Sequence, residues 1–297
     1  LLAAGVHGHL TQGRLAQWTK NAPENQRRAF ALIDHERARN FDFDNGDCIF
    51  NANSLTPEVG ERIVACAKKY GKGIAVTGDS HAMNMFHLLK VKIGTRPFMV
   101  GLGQGMCRAY APLPTCNYDK LQVLLRAHSN LFHTIIYEQA GWHLFVDARG
   151  SEIDQDMISG LPLDARVPDF ATNKEHVNSV ISYLKTLAPH ARIIWLGPRL
   201  EPEINEHAVI HLGCDYPFAL RPNQVEIFAQ LDDAIEKQVS ASGLEYRSQI
   251  DSVKLDMAKD FMTCDVTYWK DRNHYSEAGE KRFGARLTLD GVLKHGQ

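Results

Sequence analysis

Four short apolar runs punctuate the chain: Ile74-Ala-Val-Thr77, Phe98-Met-Val-Gly101, Thr134-Ile-Ile-Tyr137 and Ile193-Ile-Trp-Leu196. Compact runs of this kind suit strands covered on both faces. The stretches between them carry apolar residues at helical spacing, as in Val177, Ile181, Leu184 and Leu187. That spacing predicts amphipathic helices over Ala82 to Val91, Tyr118 to His128 and Asn173 to Ala188. Strand and helix in alternation predict an α/β domain: a three-layer sandwich around a central parallel sheet of about five strands.

Punctuation residues set further boundaries. Thr56 as N-cap, Pro57 at the first helical position and Gly71 just past the end predict a helix over Pro57 to Tyr70. Two more helices are expected, over Asn223 to Ala241 and from about Ser276, and Thr267-Tyr-Trp269 is read as closing the sheet. Gln12 to Arg39 is polar, with scattered Leu, Ala and Phe, and suits one or two surface helices. Phe41-Asp-Phe-Asp-Asn-Gly-Asp47 forms turns. The chain therefore divides into a helical N-terminal extension or linker over 1–47 and one domain over 48–297, with no internal repeat.

Composition narrows the class. The 297 residues are 44% hydrophobic and 23% charged, which is the balance of an ordinary folded chain. Basic and acidic side chains number 33 and 35, so the net charge of -2 gives no electrostatic reason to expect a nucleic-acid partner. No run of roughly eighteen apolar residues marks a membrane span. Leu1 to Val6 is too short for a signal peptide and lacks a basic lead; it reads as the stub of a removed apolar segment, the chain being cut from something longer. Six cysteines, an even number without any CxxC spacing, favour disulfides and an oxidising compartment over zinc; buried free thiols in a cytosolic protein are the alternative. Fifteen pairings are open at this point.

The sharpest chemical signal is Gly78-Asp79-Ser80-His81, directly after one predicted strand and directly before a predicted helix. Ligands of parallel sheets collect at the carboxyl ends of the strands, and the free N–H groups of a helix start can hold an oxyanion. An Asp-Ser cap that merely opens a helix is the plainer explanation. The second signal is Asp271-Arg-Asn-His274, in a polar loop that Ser276 can cap. Asp and His three apart on a tight turn can lie side by side, leaving one imidazole nitrogen free to take a proton from a serine. His274 is also one of fourteen histidines, and a surface loop would explain it equally well.

Together the two blocks resemble the SGNH (GDSL-like) hydrolase superfamily, which has a flavodoxin-like sandwich. The sequence is most similar to the SGNH domain fused to membrane-bound acyltransferase-3 proteins, which O-acetylate surface polysaccharides. The GDSH form of the first block, a cysteine pair before it at Cys48 and Cys66, and another at Cys107 and Cys116 beside Pro112 and Pro114 carry that likeness, over about residues 48 to 290. The likeness pairs those cysteines with each other and leaves Cys214 with Cys264.

The resemblance implies a catalytic triad of Ser80, Asp271 and His274, with an oxyanion hole from the Ser80 and Gly105 backbones, Gly105 being taken over Gly103. The superfamily's third block normally supplies an Asn; Gln139-Ala-Gly-Trp142 has none, so Gln139 is taken as the third donor. His81 and Trp142 are placed at the substrate. The implied function is an O-acetyltransferase domain working through acetyl-Ser80 on a bacterial surface polysaccharide, an O-antigen or similar glycan such as that of lipopolysaccharide. The alternatives are a carbohydrate esterase of the same fold and a non-catalytic glycan-docking module.

No bound cofactor and no metal are expected. Acetyl groups would come ultimately from acetyl-CoA through a membrane acyltransferase domain N-terminal to this chain. The implied partners are that domain and a polysaccharide or lipid-linked glycan, with no nucleic acid, and the chain would act as a monomer. It would sit in the periplasm or on an extracytoplasmic face, tethered to the inner membrane. Gly101-Leu-Gly-Gln-Gly105 lacks the endings of a P-loop or a dinucleotide fingerprint. His7 and His9 have no partner ligands nearby. Trp195 and Trp269 read as packing, and Arg126, Arg149 and Arg199 could meet an acidic saccharide.

Overall fold

The computed structural model describes residues 20–39, 43–93 and 98–289. The Leu1 to Val6 segment, His7, His9, the start of the polar segment from Gln12, and Phe41 and Asp42 of the turn lie outside the described residues.

The strands are β1 (Phe43–Asp44), β2 (Ile49–Asn51), β3 (Gly73–Gly78), β4 (Met99–Gly101), β5 (Phe132–Glu138), β6 (Phe145–Val146), β7 (Ala171–Thr172), β8 (Arg192–Leu196) and β9 (Glu245–Arg247). Seven of them form one sheet in the order β1-β2-β4-β3-β5-β8-β9, while β6 and β7 make a separate antiparallel pair. Every neighbour in the large sheet is parallel except β1 on β2. Counted from β3, the five strands β3, β4, β5, β8 and β9 run in the order 2-1-3-4-5, the flavodoxin-like arrangement of doubly wound α/β domains. The four apolar runs are β3, β4, β5 and β8.

The sheet is closed differently from the sequence expectation. Thr267-Tyr-Trp269 adds no strand; Thr267 and Trp269 make only isolated bridges, to Met262 and Tyr275. The Trp269 side chain is committed elsewhere, its Nε1 donating to the Asp260 carbonyl at 2.9 Å and its ring packing on Tyr275. Glu245-Tyr-Arg247 takes the edge position instead, with only Tyr246 buried. An edge strand with one apolar residue between two charged ones carries no legible run. Short β2 extends the other side beyond the expected five strands.

Helices complete the layers: α1 (Glu24–Arg37), α2 (Pro57–Tyr70), α3 (Ser80–Ile93), α4 (Tyr118–Ala127), α5 (Gln155–Ser159), α6 (Lys174–Leu187), α7 (Glu206–Leu212), α8 (Gln224–Ala241) and, after two short helical turns, α9 (Glu277–Arg286). The caps act as their residue types predict. Thr56 accepts from Val59 N at 3.4 Å, Ser276 from Gly279 N at 3.0 Å, and Gly71 ends α2 at φ 78°.

Successive side chains of each strand enter opposite cores. Ala75, Ile135, Tyr137, Ile193 and Trp195 meet α2, α4, α6 and α8 through Ile63, Leu121, Leu184 and Phe228. Ile74, Val76, Ile136, Ile194 and Leu196 meet the other layer through Phe86 and Leu89 of α3, Phe283 of α9 and Ala29 and Ile33 of α1. Helix α1 thus buries its apolar side in the domain. Three disulfides, Cys48–Cys66, Cys107–Cys116 and Cys214–Cys264, use all six cysteines, as suits an oxidising compartment.

The junction of β3 with α3 is the tightest point. Gly78 has φ +144°, and a Cβ there would lie 1.8 Å from the Glu138 carbonyl oxygen on β5. Only glycine permits both the backbone angle and the approach. Gly78→Ala is expected to destabilise the domain by about 3 kcal/mol or more, combining backbone strain with overpacking. Gly105→Ala, with nothing within 4 Å of the added carbon, should change stability by less than about 0.5 kcal/mol. Urea unfolding of both variants checks the contrast.

Candidate active site

Strand β3 ends at the sheet's switch point, between β4 and β5, and Asp79 turns the chain into α3. The Asp79 carboxylate is wholly used by this turn. Its Oδ1 accepts from His81 N at 2.9 Å and its Oδ2 from Ala140 N at 3.0 Å, bracing the serine turn against the end of β5. Burial raises its pKa against the opposing pull of those N–H groups. Ser80, the first residue of α3, is partly exposed, and the positive end of the helix lies at its amide.

Thr267-Tyr-Trp269 forms one arm of a hairpin that brings in the second block. Lys270 N donates to His274 O at 2.8 Å and Ser276 N to Tyr268 O at 3.1 Å. Within the tip, Asp271 Oδ1 accepts from the amides of Asn273 at 3.0 Å and His274 at 2.9 Å. Both Asp271 oxygens lie 2.9 Å from His274 Nδ1, and His274 Nε2 lies 2.8 Å from Ser80 Oγ. Burial alone would raise Asp271, but the imidazole and the backbone donors outweigh it and hold its pKa down to about 2. Asp271 is therefore an anion at neutral pH. It fixes His274 with Nδ1 protonated and Nε2 facing the hydroxyl, the arrangement in which a serine becomes a nucleophile.

A buried polar clasp sets this meeting across 194 residues of sequence. Asn84, one turn along α3 from Ser80, accepts from Tyr275 N at 3.0 Å and donates to Tyr275 O at 3.3 Å and to Glu280 Oε1 at 2.7 Å. Arg199, 1% exposed, donates to Asn84 Oδ1 at 3.2 Å, to His81 O at 3.0 Å and to Glu138 Oε1 at 2.6 Å, and lies over the Tyr275 ring. Helix, strand end and histidine hairpin are thereby one unit.

The triad opens into a cleft of about 670 Å³ whose walls include Met106, Arg108, His143, Asp156, Asn205 and Arg272. Three sequence expectations change here. Gly105 is exposed in the turn beyond the cleft, whereas Gly103 abuts the serine turn, where a Cβ would meet Asp79 O and Met83 N at 2.9 Å each; close approach selects Gly103. Gln139 is buried and is not part of the cleft lining; its Oε1 accepts from the Tyr137 hydroxyl and its Nε2 has no hydrogen-bond partner. Trp142 is fully buried among Phe145, Phe170 and Phe228 and cannot touch a substrate.

His81 borders the cleft although its side chain is fully buried, the ring edge-on to His274 at 5.2 Å. Burial first, then Arg199, pushes its pKa well below the ordinary value, so a neutral ring backs the triad histidine. Arg199 is buried in the clasp, and exposed Arg126 and Arg149 lie outside the cleft lining.

Sequence reasoning missed the acids behind the hairpin. Glu201 and Glu203 are both fully buried, and the Asn273 amide donates to Glu201 Oε2 at 3.3 Å and to Glu203 Oε1 at 3.2 Å. Glu201 Oε1 also accepts from Gly141 N at 2.5 Å. Burial pushes Glu201 up to about 8 and Glu203 well above the ordinary carboxyl range. The pattern Glu-Pro-Glu in a loop gave no sign of burial. Arg108 and His143 were likewise not legible. No metal-ligating cluster of His, Cys, Asp or Glu exists among the described residues.

No protein family matches the chain, and no curated protein does. Among solved structures the chain is similar to the periplasmic domain of a lipopolysaccharide acetyltransferase from Salmonella ser. Paratyphi A, at 14% identity and TM-score 0.49, over 91% of this chain and 97% of that one. It is similar to a carbohydrate acetylesterase family member from Sinorhizobium meliloti, at 13% identity and TM-score 0.43, over 75% and 97%. A GDSL-like lipase from Bacteroides thetaiotaomicron shows 12% identity and TM-score 0.42, over 77% and 93%. Functional assignment is carried by the site's own geometry.

Two outcomes test that geometry. Gly103→Ala should slow modification of Ser80 by a fluorophosphonate at least tenfold by displacing the serine turn, while Gly105→Ala leaves the rate unchanged; intact mass against time reads both. Glu201 has a folded pKa of about 8 against an ordinary 4.5. The unfolded chain therefore loses that proton first, and stability falls as pH rises through this interval. Glu201→Gln should lose less stability between pH 5 and pH 8 than the parent in urea unfolding. Parallel losses would show that Glu201 does not titrate as described.

Proposed function

We propose that this chain is an SGNH-type acyltransferase domain that moves an acetyl group through acetyl-Ser80 onto a hydroxyl of a bacterial surface polysaccharide. The observation that carries the reading is the 2.8 Å contact of His274 Nε2 with Ser80 Oγ, backed by Asp271 at 2.9 Å, in an open cleft at the strand ends. His274 takes the Ser80 proton as Oγ attacks the acyl carbonyl, and returns it to the departing group. An acceptor hydroxyl then gives its proton to His274 and attacks the acetyl ester, and Ser80 leaves with that proton restored. Asp271 stabilises the imidazolium formed in each half.

The three disulfides support an extracytoplasmic setting; following the resemblance, acetyl groups would come from acetyl-CoA through a membrane acyltransferase domain to which the chain is tethered. No helix among the described residues is long and apolar enough to cross a membrane. The hydroxyl, amide and charged side chains that stand beside Met106 and Ala140 in the cleft walls offer a hydroxylated acceptor hydrogen-bond partners.

Exposure to an activated acetyl ester should add one acetyl group to Ser80, detected by intact mass, and none to Ser80→Ala. Discharge faster with a surface polysaccharide than with water alone supports transfer, while discharge at the water rate makes the protein an esterase. Polysaccharide acetylation in cells should disappear with Ser80→Ala; survival would leave only a docking role.

A further inference from the structure

Arg108 reaches the cleft on a loop held at several points. Cys107, its neighbour, is bonded to Cys116, and the Cys107 carbonyl accepts from the Tyr118 hydroxyl at 2.9 Å. Two residues on, Tyr110 donates to His143 O at 3.3 Å and stacks on His176 with ring centroids 3.7 Å apart. The guanidinium itself is fixed by Arg108 Nη2 donating to His143 Nε2 at 2.5 Å. An arginine keeps its proton throughout the physiological range, so His143 must accept through Nε2. Burial first, then Arg108, pushes His143 down to about 3, which keeps it neutral for that task.

The charge balance is uneven. Arg272, the other arginine of the cleft, pairs with Asp156 and lies 3.4 Å from Glu203. Among the described residues Arg108 pairs with no carboxylate, and its buried Nε has no hydrogen-bond partner. Its field reaches Asp79 and His81, which flank Ser80. A held cation that makes no ion pair and lines the same cleft as Ser80 is complementary to negative charge that forms there during reaction. The SGNH resemblance calls for a third donor that the chain lacks in Asn form; Gln139 is buried outside the cleft lining, whereas Arg108 lines it.

Resting on the acyl-transfer reading above, we propose that the Arg108 guanidinium is the third oxyanion donor. As the Ser80 Oγ–carbon bond forms, the carbonyl π pair moves to oxygen and the Oγ proton passes to His274. Arg108 donates an N–H hydrogen bond to that oxygen and keeps its proton. When the intermediate collapses, the pair returns to the carbonyl and the leaving oxygen departs with the His274 proton.

Steady-state hydrolysis of p-nitrophenyl acetate, a neutral ester, separates this role from others. Arg108→Gln should lower kcat about a hundredfold, the usual effect of losing one such donor, with KM within about twofold. Arg108→Lys should lie between, and guanidinium ion added to Arg108→Ala should restore part of kcat. The rate of Ser80 phosphonylation by a fluorophosphonate should fall in parallel, which also serves if turnover of the wild type is too slow to follow. Wild-type kcat and phosphonylation in folded Arg108→Gln, with Ser80→Ala inert, would overturn the proposal and leave acyl transfer standing. An effect confined to KM for carboxylate-bearing esters would overturn it in favour of a substrate-anion site. Undiminished turnover in Ser80→Ala would instead sink the acyl-transfer reading.

Discussion

The buried clasp of Asn84, Arg199 and Glu138 is the constraint on which the site depends. A serine at the start of a helix and a histidine in a distant hairpin have no local reason to meet, and the hydrogen bond between them is too weak to hold the hairpin. Each hydrogen bond contributes only about 1 kcal/mol net. Asn84 instead engages both backbone groups of Tyr275, the residue after His274, so the hairpin is docked on α3 much as a strand docks on its neighbour. Arg199 ties the same asparagine to the carbonyl of His81 and to the carboxylate of Glu138. Burying this ion pair brings little stability of its own, because desolvation offsets most of the attraction. Breaking it would strand a charge and free three segments at once, so its value lies in specifying one arrangement.

The same logic explains the neutral groups around the triad. His274 needs one anion, Asp271, at Nδ1. A second anion nearby would compete for its orientation and for its proton. Glu201 and His81 approach each other to 3.8 Å directly behind the triad, yet burial favours the uncharged form of each. The site thus holds a carboxyl group, Glu201, that hydrogen-bonds and an imidazole, His81, that packs against His274, while Asp271, stabilised by two amides, stays ionised.

How much of this the sequence disclosed follows from range. The runs at 74–77, 98–101, 134–137 and 193–196 are legible because strands covered on both faces need apolar residues throughout, and Thr56, Gly71 and Ser276 are legible because capping is local. Ser80 and the Asp271–His274 pair could be read because each block is short and distinctive. Their meeting could not, since it depends on Asn84 and Arg199, which look like surface polar residues until the fold buries them. Trp142 and Gln139 failed for the complementary reason: position after a strand gives proximity to the cleft but not the side of the sheet a side chain faces. Gly103 and Gly105 lie two residues apart in the loop after β4, and only the packing of α3 tells which one lies against the serine turn.

Strand order then accounts for where the functional groups come from. With β3 between β4 and β5, the turn after β3 is flanked by the loops that follow both neighbours. One loop brings Gly103 against the serine turn and carries Arg108; the other braces it through Ala140 and carries His143. These three loops are adjacent by the topology of the sheet alone. The Arg108–His143 contact joins the two outer loops within the cleft lining. The histidine is the one component that topology does not deliver, which is why the buried polar side chains concentrate on its side of the cleft.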